Sequence, residues 1–176
     1  MAPQDRAEPA VTVRRLGPGD IPAMRALNAL FGRAFAEPET YGAAPPDDAY
    51  LADLLAKAHV AVLVAETGGE GGEDGGTVLC GLVAYELDKV ERPRREIYLY
   101  DLAVEAGHRR RGIATALIRH LQAHAAHRGA WVIFVQGDSG DGPALALYDR
   151  LGSREAVLHF ELPVDIPTLA IAGESL

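Results

Sequence analysis

The segment with the clearest chemical signature runs from Tyr98 to Ala114, where an apolar strand-like run is followed by a polar turn and a helix-like run. The turn ends in three consecutive arginines and then Gly112. A helix that begins here carries free N–H groups and about half a positive charge at its N-terminus. Because Gly112 has no side chain, an anionic group can approach the backbone closely. The pattern predicts an anion site suited to a pyrophosphate.

Other sequence patterns limit this interpretation. Neither GxxxxGKS/T nor GxGxxG occurs, so a nucleoside triphosphatase or a dinucleotide dehydrogenase would lack its usual phosphate loop. The alternative for the arginine segment is a solvated basic turn before an ordinary helix. The buried type of strand that precedes the turn favours phosphate binding over that alternative.

A single carboxylate interrupts the apolar strand before the turn. Asp101 is the only charged residue between Ile97 and Val104. A buried charge without a partner is costly, so a carboxylate in this position is a candidate site residue. It could bind an ammonium group and accept its proton, directly or through water. The alternative is a structural carboxylate that backbone groups or an arginine satisfy.

Composition narrows the class of protein. The 176 residues predict one domain, and 17 basic against 25 acidic residues give a net charge of −8. An acidic surface argues against nucleic acid or an anionic membrane as the main partner. The one cysteine, Cys80, excludes an internal disulfide and a cysteine-built zinc site. Without a signal-peptide pattern or a long apolar run, we expect no membrane partner and a cytoplasmic location.

The predicted elements form a mixed α/β layer fold with a strand–helix–strand unit at its centre. We expect a loose tail over 1–10, one folded domain over 11–164 and a second tail over 165–176. A Gly/Glu-rich loop over 68–76 is expected to be the tip of a hairpin. The predicted strands are 11–16, 60–66, 77–87, 96–104, 131–136 and 154–162, and the predicted helices are 21–31, 47–58, 113–129 and 144–151.

These motifs carry a family resemblance. The strand, the RxxGxA turn and the helix resemble the acetyl-CoA motif of the Gcn5-related N-acetyltransferases (GNAT). The runs IYLYDLAV, HRRRGIATALI, WVIFVQGD, GPALALYDRLG and VLHFEL are similar, in order, to the aminoglycoside 3-N-acetyltransferases of that superfamily, the gentamicin acetyltransferases of type I. FGRAFAEPETY and DDAYLADLL fit as well, so the resemblance covers about residues 11–164. It implies the GNAT fold, a central mixed sheet flanked by helices.

The resemblance also implies a cofactor and a mechanism. Acetyl-CoA would lie where the strand over 99–104 splays from the strand over 131–136, and no metal would be needed. Backbone N–H groups near Leu102, Ala103 and Val104 would bond the pantetheine arm and polarise the thioester carbonyl. Asp101 would act as the base and Tyr148 as the acid that protonates the leaving thiolate. The pyrophosphate turn and its first helical residues would be Arg109, Arg110, Arg111, Gly112, Ile113, Ala114 and Thr115.

An aminoglycoside acceptor carries several ammonium groups, so the resemblance implies carboxylates spread over a wide cleft. Each of these residues could instead cap a helix or lie in a solvated turn. The candidates for acceptor binding are Tyr41, Asp47, Asp48, Glu96, Asp138 and Asp141.

Two rival functions remain at this point. The acceptor could be another small polyamine or a protein amine, or the chain could be a non-catalytic acyl-CoA-binding regulator. The presence of both Asp101 and Tyr148 favours an enzyme. Related enzymes are often dimers, so a homodimer is expected by analogy only.

Overall fold

The computed structural model describes residues 10–68 and 76–164. They belong to two units, of which the first ends at Asp138 and the second begins at Ser139. The predicted tails, except for Ala10, and the middle of the Gly/Glu loop lie outside the described residues. The extent of the folded domain over 11–164 stays a prediction.

Apart from the short helix α2, the order of elements follows the sequence prediction up to the last helix. The helices are α1 (Ile21–Ala34), α2 (Pro38–Gly42), α3 (Asp48–Ala56), α4 (Ile113–His127) and α5 (Gly142–Asp149), with a 3-10 turn over Ala106–His108. The strands are β1 (Val11–Arg15), β2 (Val60–Thr67), β3 (Thr77–Asp88), β4 (Arg95–Val104) and β5 (Ala130–Val135).

The short helix α2 lies between the predicted helices over 21–31 and 47–58, where the sequence analysis predicts no helix. Pro38 stands in the first turn of α2. There its missing N–H would have had no partner inside the helix in any case, and its fixed φ suits a helix start.

The predicted last strand over 154–162 is wrong. Residues 153–164 have no regular secondary structure, and Val157, Leu158, Phe160, Leu162 and Val164 are between 69% and 86% exposed. An apolar, β-prone run becomes a strand only where a neighbouring strand pairs its N–H and C=O groups. This run has no such ladder among the described residues.

The five strands form one mixed sheet in the order β1-β2-β3-β4-β5. Neighbours are antiparallel from β1 to β4, whereas β5 runs parallel to β4. Helix α4 makes the crossover that such a parallel pair requires. The predicted α/β fold with a central strand–helix–strand unit is therefore confirmed.

Both faces of the sheet are covered by helices. Alternate residues Val60, Val62 and Val64 of β2 join a buried cluster with side chains of α1 and α3. The intervening Ala61 and Leu63 are also buried, and they point to the opposite face because side chains alternate along a strand. Helix α4 packs on β2, β3, β4 and β5, and its buried residues are absent from the α1/α3 cluster, which indicates the second face. No helix of the described residues is long and apolar enough to span a membrane.

Gly81 of β3 is required by close packing against α1. A Cβ atom at Gly81 would lie 2.2 Å from Leu27 Cδ1 and 3.2 Å from Leu27 Cγ, and Leu27 is fully buried. We expect Gly81→Ala to destabilise the protein by about 1–3 kcal/mol, because Leu27 must move within a packed core. Thermal or urea unfolding measures the loss.

Gly19→Ala is the matched control, since a Cβ there would have no neighbour within 4 Å. It should change the free energy of unfolding by less than about 0.5 kcal/mol. Equal unfolding midpoints for Gly81→Ala and the parent chain would contradict the packing described here.

Candidate functional site

Strand β4 contains a bulge at the residue before the lone carboxylate. Asp101 pairs with Val83 and Leu99 pairs with Ala84, so Tyr100 is an extra residue without its own partner on β3. A bulge of this kind bends the strand and changes the direction of the side chains around it. It lies where the sequence predicted the reacting groups.

The pairing between β4 and β5 ends at the residue before this bulge. Their parallel ladder ends at the pair Leu99 and Val135, whereas β4 continues to Val104 along β3 alone. Alternate N–H and C=O groups of the last five residues of β4 therefore point away from β3. In the described ladder, these groups have no partner on β5. The end of this pairing before Leu102, Ala103 and Val104 leaves room for the predicted splay; the splay and binding of the pantetheine arm there stay predictions.

The turn before α4 leaves the start of that helix open. Gly112 is the N-cap residue with φ +80°, in the left-handed region, and it makes no side-chain cap. Arg110 also has a left-handed φ of +60°, a conformation that a non-glycine residue adopts at a cost. The first turn of α4 carries no acidic side chain. The N–H groups of this turn are therefore available to an anion.

The space around the turn also suits an anionic ligand. A Cβ at Gly112 would have no neighbour within 4 Å, and a cavity of about 430 Å³ is lined by Gly112, Arg111, His108 and apolar residues of β1 and β3. The buried Nδ1 atom of His108 has no hydrogen-bond partner among the described residues. An open backbone, a nearby guanidinium and an orphaned ring nitrogen fit the phosphates of a coenzyme.

Asp101 has the environment of a base. The hydroxyl of Tyr41, from α2, lies 3.5 Å from Asp101 Oδ1. Burial raises the pKa of Asp101; the Tyr41 hydrogen bond opposes this rise, and the charge of Glu37 adds to it. A carboxylate whose pKa lies above its ordinary range is a stronger proton acceptor. The structure thus brings together two of the predicted site residues, Tyr41 and Asp101.

Tyr41 serves Asp101 as a donor over the whole working pH range. Burial raises the pKa of Tyr41 to about 12, and the charges of Asp101 and Glu37 add to the rise. The phenol stays protonated at neutral pH, so its hydrogen bond to Asp101 persists.

Four aromatic side chains beside Asp101 had no role in the sequence interpretation. Their ring centroids are separated by 5.7 Å from Tyr85 to Tyr100, 5.4 Å from Tyr100 to Tyr98 and 4.9 Å from Tyr98 to Phe134. We call these four residues the aromatic row. Tyr98 and Tyr100 stand two apart in the sequence, which is a signal for one face of a strand. The bulge and the register that bring in Tyr85 and Phe134 leave no such signal.

The predicted acceptor carboxylates of the first unit are already engaged. Asp47 caps α3 by accepting a hydrogen bond from the Tyr50 N–H at 2.8 Å, and Asp48 pairs with Arg25. Glu96 lies 3.4 Å from Lys89 Nζ and accepts a hydrogen bond from Trp131 Nε1 at 3.2 Å. These contacts match the capping and solvated-turn alternatives, and acceptor binding by these residues stays a prediction.

The remaining predicted residues lie near or beyond the boundary between the units. Asp138 is the exposed last residue of the first unit. In the second unit, Asp141 accepts a hydrogen bond from the Ala144 N–H at 3.0 Å and so caps α5. Burial raises the pKa of Tyr148 to about 12, with a smaller contribution from Asp141. The roles of Tyr148, Asp138 and Asp141 in the site stay predictions.

The sequence of this chain matches the acetyltransferase (GNAT) family over residues 25–153. That match covers well over half of the chain. The chain belongs to the acetyltransferase (GNAT) family. The mixed sheet flanked by helices is thus the GNAT fold that the sequence resemblance implied.

Two solved structures that are similar to this GNAT protein are of aminoglycoside acetyltransferases. One such enzyme, from an uncultured soil metagenomic sample, is 48% identical, with a TM-score of 0.81 and coverage of 88% of this chain and 99% of that chain. A second, from the same kind of source and in complex with sisomicin, is 28% identical, with a TM-score of 0.78 and coverage of 88% and 96%.

A curated relative is a protein acetyltransferase. The ribosomal protein bS18-alanine N-acetyltransferase of Escherichia coli strain K12 is 32% identical over 63 residues, which are 36% of this chain. The match spans 43% of the length of that relative. It is similar to this GNAT protein in less than half of its own length.

Proposed function

We propose that this GNAT protein transfers the acetyl group of acetyl-CoA to an amine of an aminoglycoside, by direct transfer in a ternary complex. The observation that carries the proposal is the 48% identity to an aminoglycoside acetyltransferase over 99% of that chain. The geometry supports it, since the half-buried Asp101 stands at a bulge just beyond the end of the β4–β5 pairing.

The donor site of the proposal is the gap beyond Leu99 and the turn before α4. Acetyl-CoA, when bound, would supply the acetyl group as an activated thioester. The backbone from Leu102 to Val104 would hold the pantetheine arm, and the turn from Arg109 to Thr115 would hold the diphosphate. The left-handed Gly112 and the open first turn of α4 support this assignment.

Proton transfers in the proposal balance at two side chains. Asp101 accepts the proton that the acceptor ammonium must lose before its nitrogen can form the new C–N bond. As the C–S bond breaks, the nitrogen loses its second proton to solvent, and Tyr148 gives a proton to the thiolate sulfur and recovers it from solvent. A phenol with a pKa of about 12 is fully protonated at neutral pH, so it is in the correct form to donate.

Tyr148→Phe is expected to lower kcat by about 10²-fold, because it removes the hydroxyl that gives a proton to the thiolate. The volume of the side chain changes little. The KM for acetyl-CoA should stay near the parent value. Steady-state kinetics measure both, and the melting temperature checks that the variant folds. Tyr50→Phe, at an exposed tyrosine, is the matched control and should keep the parent kcat. A parent kcat for Tyr148→Phe would remove it from the mechanism.

The position of the acetylated amine and the class of acceptor are supported by different observations. The 3-amino position is assigned from the sequence resemblance alone. The second candidate acceptor is the N-terminal amine of a protein, which the similarity to a ribosomal-protein alanine acetyltransferase favours. A polyamine acceptor and a non-catalytic regulator remain as rivals of the proposal.

A thiol-release assay with acetyl-CoA separates these functions. Kanamycin, gentamicin, spermidine and a peptide that begins with alanine are offered at equal concentration. We expect kcat/KM to be highest for the aminoglycosides, and NMR of the product to locate the acetyl group on the 3-amine. Preference for the peptide would support the second candidate. CoA binding without thiol release from any acceptor would support a regulator.

The proposal extends to the cell. We propose a cytoplasmic enzyme that confers aminoglycoside resistance, and expression in a susceptible bacterium should raise the inhibitory concentration of the drug. An unchanged inhibitory concentration despite soluble expression would contradict that role. The homodimer stays a prediction, and light scattering measures the oligomeric state directly.

A further inference from the structure

The aromatic row forms a continuous surface beside the candidate base. Tyr100 is 59% exposed and Phe134 is 38% exposed, so both rings are accessible to a ligand. Burial raises the pKa of Tyr98 and Tyr85, and in both the charge of Asp101 adds to the rise. The Asp101 carboxylate therefore lies close to the row.

The rings of the row are held in fixed orientations. Tyr98 stacks on Phe134 with an interplanar angle of 6° and meets Tyr100 edge-on at 74°. The Tyr98 hydroxyl donates a hydrogen bond to Gln136 Oε1 at 2.7 Å. Tyr85 meets Tyr100 edge-on at 88°. Tyr98 thus holds Tyr100 and Phe134 in place from between them, and these two present the exposed surfaces.

Exposed aromatic faces next to one carboxylate define the chemistry of a ligand. An aromatic face carries partial negative charge, so it attracts C–H edges and cations and buries apolar area. A saturated six-membered ring offers a flat C–H face of similar size, with amines on its rim. An extended polyamine offers no such face, and it would need carboxylates spaced along its length.

Three carboxylates that the sequence predicted to bind the acceptor have partners within the protein. Asp47 is a helix cap, Asp48 pairs with Arg25, and Glu96 contacts Lys89 and Trp131. Charge recognition near the row is thus expected at Asp101 and at Glu37, whose charge raises the pKa of Asp101. This favours a compact ring that brings one amine to Asp101 and its C–H face to the row.

We propose that Tyr100 and Phe134 bind the C–H face of an aminosugar or aminocyclitol ring of the acceptor while Asp101 binds one of its ammonium groups. The inference rests on the proposed function and deepens it. In this inference, contact with aromatic rings, rather than with several carboxylates, determines which class of acceptor binds beside the row.

The test uses two variants that keep an apolar side chain without an aromatic face, Tyr100→Leu and Phe134→Leu. The KM for kanamycin is expected to rise about tenfold in each, since aromatic contacts contribute on this scale. Spermidine, measured as a competitive inhibitor against kanamycin, is expected to keep its Ki within about twofold, because it has no ring face to lose. Tyr100→Phe keeps the ring and should therefore have the parent KM for kanamycin.

Trp131→Leu is the matched control on the same strand. Trp131 is also exposed, at 60%, but Arg94 covers its ring at 4.0 Å from the centroid. Its replacement should leave the KM for kanamycin unchanged. Parent kinetics in both row variants, or equal increases for kanamycin and spermidine, would overturn the ring-binding inference alone. A parent enzyme that releases no thiol with kanamycin would instead overturn the proposed function.

Discussion

Asp101→Asn is expected to lower kcat by about 10²- to 10³-fold, because an amide cannot accept the proton of the acceptor ammonium. The affinity for CoA should stay near the parent value, since Asp101 lies outside the phosphate turn. Steady-state kinetics and calorimetry with CoA measure the two quantities separately. An unchanged kcat would exclude Asp101 as the base.

The pH dependence of the parent enzyme gives an independent reading of the same residue. A base works in its deprotonated form, so activity falls as the pH drops through the pKa of Asp101. Burial raises that pKa in the free protein, and the acid limb of the kcat/KM profile should therefore lie above the ordinary pKa of an aspartate. The limb should be absent from Asp101→Asn. A parent profile flat down to the ordinary aspartate pKa would contradict a buried base.

Stability controls for this variant follow from the direction of the shift. Because the folded pKa of Asp101 is raised, the folded state binds the proton more tightly than the unfolded chain does. This group therefore opposes folding progressively as the pH rises from its unfolded pKa through its folded pKa. Asp101→Asn removes the charge, so at neutral pH it should not lower the melting temperature. A kinetic loss in a variant of parent stability then reports on chemistry.

Tyr41→Phe is the companion to Asp101→Asn. It removes a hydroxyl that lies 3.5 Å from the carboxylate and that lowers the pKa of Asp101. Its acid limb should move to higher pH than in the parent, with kcat at high pH nearly retained. The pair distinguishes loss of the base from retuning of the base.

The central part of the fold could be predicted because its signals are local. The apolar run of β4, the turn with Gly112 and the 3.6-residue period of α4 each specify one element, and a parallel pair needs the helix between its strands. Asp101 was visible as the only charge in an apolar run. Its environment was also predictable in kind, because a carboxylate in such a run is desolvated.

The parts that could not be predicted depend on pairing between distant residues. The bulge at Tyr100 is a property of two strands in register, and the aromatic row needs β3, β4 and β5 together. The run over 154–162 has the composition of a strand, yet composition does not supply a partner. The residues next to Phe134 in the sequence give no indication of its ring contacts.

Gly112→Asp is expected to weaken CoA binding by at least about tenfold, because it adds a negative charge at a helix N-terminus that otherwise favours anions. The Cβ atom of the new side chain has room, since a Cβ at Gly112 would have no neighbour within 4 Å. The loss of affinity would therefore arise from repulsion between the new carboxylate and the ligand. Calorimetry with CoA measures the affinity, and equal affinities would contradict the placement of the phosphates.

Gly112→Asn isolates the charge from the backbone strain. Asn and Asp have nearly the same shape, and both tolerate the left-handed φ of +80° better than other non-glycine residues. The two variants should share a similar melting temperature, whereas only Asp should repel the diphosphate. Their affinity difference should shrink as salt is added, because screening weakens exposed charges. If Asn weakens CoA as much as Asp does at every salt concentration, then crowding of the turn, and not charge, governs the site.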